Sequence, residues 1–133
     1  MPRRVLDTNI LINFWAGKVV RHRAVDITAR DAAAWAKELI ELQGTDAILT
    51  PIYIEYVCGQ GDENWMKLAR AYLDEFDIVD DGRILPADWK VATQIAHRIL
   101  RDRSPRQLGD CIIRAICKRL HLEVLTADRR FPN

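Results

Sequence analysis

Short apolar runs alternate with longer stretches of helical periodicity along this chain, and that alternation restricts the fold more than any other feature. Val5-Leu6, Ala47-Ile48-Leu49, Phe76–Val79 and Glu123–Leu125 are too brief for helices and read as strands. Between them the helical signals recur. Ile10 to Trp15 reads as a short helix capped by Thr8 or Asn9, followed by a polar loop over Lys18–Asp26. Thr28 opens a second helix with Asp31 in its first turn, and Gly44 stops it after Leu42. Thr50-Pro51 fits an N-cap with proline at the first helical position of a helix ending at Gly59. The same proline argues against one long strand there, because it cannot donate to a central ladder. Asp62 caps a helix to about Glu75, and Asp81-Gly82 marks a turn. Pro86 to Arg103 carries Trp89, Ala92, Ile95, Ala96, Ile99 and Leu100 at helical spacing; Ser104-Pro105 breaks it, and Gln107 to His121 forms the last helix. Brief apolar strands joined by helices imply an α/β fold with a parallel sheet covered on both faces. The 133 residues leave room for one domain, residues 1–133.

Composition excludes several classes. Met1-Pro2-Arg3-Arg4 is basic, but Asp7, Asn9 and Asn13 interrupt the apolar run that follows, so neither a signal peptide nor a membrane span is expected. Cys58, Cys111 and Cys117 are odd in number and lack CxxC spacing; each lies in an apolar stretch and reads as a buried small hydrophobe of a reducing cytoplasm. His22, His97 and His121 show no zinc-ligand spacing. Net charge is only +1, yet residues 97–119 hold seven basic side chains (Arg98, Arg101, Arg103, Arg106, Arg114, Lys118 and Arg119) against Asp102 and Asp110. Such a run suits a phosphate backbone, and it equally suits a solvated helix face.

Four acids stand where a charge is costly. Asp7 interrupts an apolar run at the carboxyl end of the first strand, and Glu55 lies among Ile52, Tyr53, Ile54, Tyr56, Val57 and Cys58. Asp110 flanks the apolar stripe Ile112, Ile113, Ile116 and Leu120, and Asp128 follows the last strand. Each has a plain alternative: a helix cap for Asp7, a buried arginine partner for Glu55, an ion pair with Arg114 for Asp110, a loop cap for Asp128. Ligand sites of parallel sheets form beyond the carboxyl ends of the strands, where the strand order switches; Asp7, Glu55 and Asp128 would meet there, and Asp110 joins them if its helix packs across the same edge. Clustered carboxylates either take up protons or hold cations, and a hard divalent ion such as Mg²⁺ or Mn²⁺ suits an all-oxygen set. Such an ion supports phosphodiester hydrolysis.

Four segments carry a resemblance to a known family. Val5-Leu6-Asp7-Thr8-Asn9-Ile10-Leu11-Ile12 resembles the opening motif of PIN domains, and Thr50-Pro51-Ile52-Tyr53-Ile54-Glu55-Tyr56 is similar to the second-acid motif. Gly109-Asp110-Cys111-Ile112-Ile113-Arg114-Ala115 resembles the third motif and Leu125-Thr126-Ala127-Asp128-Arg129-Arg130-Phe131 the fourth. The resemblance implies a three-layer α/β/α fold around a parallel sheet of four to five short strands. It also implies a Mg²⁺- or Mn²⁺-dependent endoribonuclease in which Asp7, Glu55, Asp110 and Asp128 bind metal. By the same likeness Thr8 or Thr126 orients water or a carboxylate. The chain's size resembles the VapC toxins of toxin–antitoxin pairs, which implies a homodimer, a VapB-type antitoxin as partner, and structured RNA such as tRNA as substrate. Arg101, Arg103, Arg106 and Arg114 are the candidate RNA contacts. Arg130 stands where members often carry a further acid, and Arg114 where a small residue is usual. Other readings are a PIN nuclease acting in RNA processing or on DNA, and a non-catalytic PIN-like RNA-binding module. A haloacid-dehalogenase phosphatase would need an acid at the position held by Asn9.

Overall fold

The computed structural model describes residues 3–20, 22–101, 108–129 and 131–132, leaving aside the side chains of residues 100 and 101. Four strands, β1 (Arg4–Leu6), β2 (Ala47–Ile48), β3 (Asp77–Ile78) and β4 (Glu123–Leu125), form a parallel sheet in the order β3-β2-β1-β4. Val5 pairs with Ala47 on one side and with Val124 on the other. Successive strand residues face opposite sides of a sheet. Val5 and Leu6, and likewise Ala47 and Ile48, are all fully buried, so both faces of the central strands are covered. The outer strands β3 and β4 each begin with an exposed acid, Asp77 and Glu123.

The connections are helical: α1 (Thr8–Val19) and α2 (Ala29–Gln43) between β1 and β2, α3 (Thr50–Cys58) and α4 (Glu63–Leu73) between β2 and β3, α5 (Pro86–Arg101) and α6 (Leu108–Leu120) between β3 and β4. The strand order therefore grows from β1 toward β3 and then returns to the far side of β1. That reversal puts the switch point at the carboxyl end of β1.

The capping signals explain most of the boundaries. Thr28 accepts from the Asp31 N–H while Asp31 accepts from the Thr28 N–H, a reciprocal capping box. Gly44 ends α2 with φ +70°, a left-handed conformation that favours glycine. Asp62 accepts from the Trp65 N–H at 2.9 Å and starts α4. The Asp81-Gly82 turn has positive φ at both residues, 54° and 73°.

Three boundaries differ from the sequence expectation. Asp7, rather than Thr8 or Asn9, is the cap of α1, which continues to Val19 and shortens the expected loop. Within that loop Ala24–Asp26 forms a 3-10 turn. Thr50 is already helical rather than a cap. Its N–H and hydroxyl both donate to Asp80, at 3.0 and 2.8 Å, so the start of α3 is capped by a buried carboxylate just beyond β3. The expected break at Ser104-Pro105, the residues Asp102 and Arg103, and Gln107 lie outside the described residues.

The main core joins α1, α2, α3 and α4 to the sheet. Tyr72 sits at its centre, fully buried among Trp15, Tyr56 and Phe76, with its hydroxyl donating to the Leu11 carbonyl at 3.1 Å. That bond satisfies the one polar atom of a large buried ring. A smaller cluster of Ala92, Ile95, Cys111 and Ala115 holds α5 against α6. Asp88, with 1% of its side chain exposed, ties that pair together: Arg119 donates to it at 2.9 Å and the Leu85 N–H at 2.8 Å. Cys111 and Cys117 are buried as expected, but Cys58 is exposed, because the last turn of α3 turns it away from the core. Among the described residues no helix is long and apolar enough to cross a membrane.

Candidate active site

The carboxyl edge of the sheet gathers the four acids from four different elements. Asp7 leaves β1 at the switch point and is 4% exposed. One carboxylate oxygen caps α1 by accepting from the Thr8 N–H at 2.8 Å; the other accepts from the Thr126 hydroxyl at 2.8 Å. Glu55 reaches the edge from α3 and is exposed, with one oxygen accepting from the Thr8 hydroxyl at 3.1 Å. Asp110 lies half-buried in the first turn of α6, and Asp128 is partly buried beyond β4.

These acids share one electrostatic environment. Burial pushes the Asp110 carboxyl up to about 7, and the charges of Asp7, Glu55 and Asp128 add to the rise. Asp7 is also held above the usual carboxylate range, by burial first and by Asp128 last, against the lowering effect of the Thr126 and Thr8 hydrogen bonds. Among the described residues no lysine or arginine forms an ion pair with Asp7, Glu55 or Asp110. Among the described residues Glu55 is met by the Thr8 hydroxyl rather than by the arginine envisaged for it, and Arg114 does not pair with Asp110. Among the described residues, too, no three carboxylate, imidazole or thiol side chains converge closely enough to hold one ion between them. Like charges resist that convergence, and Asp7 and Glu55 are turned onto threonine hydroxyls instead.

Both threonines therefore orient carboxylates. Thr126 does so with its full bonding capacity. Its oxygen accepts from the Asn9 side-chain amide and from the Asp128 N–H, both at 3.0 Å. Those two donors leave the hydroxyl proton one acceptor, Asp7. Asn9 has no rotational choice either. Its carbonyl oxygen must accept from the Ala127 N–H at 3.1 Å, which aims its amide at Thr126. Asn9 thus pins the loop bearing Asp128 onto the start of α1, a role that the sequence reading missed. Its signal was a polar residue at a position where a second helix cap was not needed.

The basic run is less uniform in space than in sequence. Arg119 pairs with Asp88, and the Arg114 guanidinium donates to the Pro132 carbonyl at 2.7 Å while lying over the Phe131 ring. These two contacts hold α6 to its neighbours. Arg103 and Arg106, and the side chain of Arg101, lie outside the described residues.

An open cleft of about 620 Å³ adjoins the acids, lined by Glu55 and Asp110 together with Ile54, Ile84, Gly109 and Ile112, among others. The arrangement is an acidic, partly desolvated pole at a sheet switch point, with an apolar cleft beside it. The PIN-domain family model matches residues 4–133, which takes in all four acids and every strand. No curated protein and no solved structure matches the chain significantly. The parallel four-stranded sheet between helices, the acids at its switch point and the extent of the family match agree: the chain belongs to the PIN-domain family, whose fold is of the nuclease type.

Proposed function

We propose that the protein is a Mg²⁺- or Mn²⁺-dependent endoribonuclease whose reacting edge is formed by Asp7, Glu55, Asp110 and Asp128. The observation that carries this reading is the placement of four carboxylates from four elements at the carboxyl edge of the sheet, near enough that Asp7, Glu55 and Asp128 all act on Asp110. A carboxylate so placed is relieved by a proton or by a cation. The donor set suits a hard divalent ion, since all four side chains are carboxylates and none is a thiol or imidazole. Such an ion, when bound by these acids, activates water and neutralises charge on the phosphate under attack.

The chain's own residues prepare that chemistry. Thr126 fixes the inner oxygen of Asp7, Thr8 fixes one oxygen of Glu55, and Asn9 fixes the strand end that bears Asp128. The engaged oxygens of Asp7 and Glu55 each accept one of these hydrogen bonds, which leaves lone-pair capacity there for a ligand. The resemblance to VapC toxins supports a finer reading: a toxin acting in the cytoplasm on structured RNA such as tRNA, homodimeric and silenced by a VapB-type antitoxin. Exposed apolar side chains on α1 and α2, Ile12 and Leu42, offer surface for such protein contacts.

The test is cleavage of RNA by the purified protein with Mg²⁺ or Mn²⁺. Chelation should abolish it, and Asp7→Asn or Asp128→Asn should each lower the rate by roughly a hundredfold or more, the scale of losing a group that organises charge in the transition state. Wild-type rates in either variant, or cleavage that survives chelation, would overturn the assignment.

A further inference from the structure

The cleft beside the acids has a composition that a phosphate-binding channel lacks. Ile54, Ile84 and Ile112 line it, and among the described residues no lysine or arginine does. The Thr50 hydroxyl, which also lines it, already donates its proton to Asp80. Gly109 contributes no side chain, and a Cβ placed there would meet nothing within 4 Å among the described residues. Ile54, in the middle of α3, is 58% exposed, and an aliphatic side chain gains nothing from that contact with water. At about 620 Å³ the open cleft lies within the volume range of small-molecule sites.

We propose that this cleft is a subsite for one unpaired nucleobase of the nucleotide next to the scissile phosphate. The proposal rests on the nuclease reading and adds a determinant of substrate class. A strand whose phosphate lies at Asp110 has its neighbouring base within one nucleotide of the aliphatic wall, because Asp110 itself lines the cleft. Among the described residues the wall offers apolar contact to the faces of a base and no side-chain cation to its phosphate. A base can enter only when it is neither stacked nor paired, so the site selects single-stranded loops over duplex. Aliphatic walls read the presence of a base rather than the pattern of its edge, so the subsite tolerates sequence.

The experiment uses a single-stranded RNA oligonucleotide that the protein cuts, remade with an abasic ribose at each position flanking the cut. At one position the abasic substrate should raise KM by roughly tenfold with little change in kcat, the scale of one base contact in single-strand binding. Gly109→Leu, which fills the cleft from an open position, should impose the same loss on the intact oligonucleotide and be indifferent to the abasic one. Its melting temperature and Mn²⁺ affinity should match the wild type, which separates a blocked cleft from a damaged acid cluster. Equal kcat/KM for intact and abasic substrates at every position would overturn the subsite while leaving the nuclease reading intact. Absence of any cation-dependent RNA cleavage would overturn both.

Discussion

Thr126 has one hydroxyl proton and two obligate donors facing its oxygen, so its orientation toward Asp7 is fixed by counting. Thr126→Val keeps the shape and removes all three bonds. It leaves the Asp7 oxygen, the Asn9 amide and the Asp128 N–H without that partner, and should cost about 2–3 kcal/mol in chemical denaturation. Thr126→Ser should recover most of the loss. Asn9→Asp should also destabilise at neutral pH, since a carboxylate has no donor for Thr126 and draws its proton away from Asp7. A valine variant as stable as wild type would show that the hydroxyl orients nothing. The acids themselves were legible in the sequence, because a charge inside an apolar run is conspicuous there. Asn9 was not, because its partners Thr126 and Ala127 are more than a hundred residues away and a polar residue at a helix start already has a local explanation.

Among the elements, α3 depends most on distant chain. Its sequence signal, Thr50-Pro51, gave the correct helix and the wrong cap, since Asp80 supplies the carboxylate that receives both Thr50 donors. Local pattern locates a helix because the N–H groups of its first turn need an acceptor; it does not say that the acceptor arrives from beyond another strand. The strands show the same limit, with β2 and β3 reduced to two residues each where strands of three and four were read. Their apolar character reflects burial beyond the ladder as well as within it. Asp80→Ala should destabilise the protein by about 1–2 kcal/mol, the cost of a lost N-cap, and speed hydrogen exchange in the first turn of α3. Asp80→Asn, which keeps one acceptor, should lose less. Because α3 delivers Glu55, RNA cleavage should fall in the alanine variant under conditions where it remains folded. Unchanged exchange in that turn would mean that Asp80 does not hold the helix start.

For the molecule as a whole, the two edges of the sheet differ in how their acids are held. At the amino edge Arg3 bridges Asp46 and Asp77, so the acids there are paired within the fold. At the carboxyl edge Asp110 is raised to about 7 and Asp7 is also raised, so their ionisation opposes folding. A carboxyl with a folded pKa above its unfolded value near 3.8 binds more protons in the native state between those two limits. Stability of the metal-free protein should therefore decline as pH rises from about 4 to about 7, then level off once Asp110 is ionised in both states. Mg²⁺ or Mn²⁺ binds the ionised form, so it should stabilise most above pH 7 and progressively less below it. RNA cleavage should rise over the same window in which the metal-free fold weakens. Asp110→Asn separates the two effects. Removing the charge should stabilise the metal-free protein at pH 8, flatten its pH profile, reduce stabilisation by Mg²⁺ and abolish cleavage. Urea denaturation across that pH range, with and without millimolar Mg²⁺, measures all but the last. A variant less stable than wild type at pH 8, or a wild-type profile that Mg²⁺ leaves unchanged, would show that the four carboxylates do not act as one site.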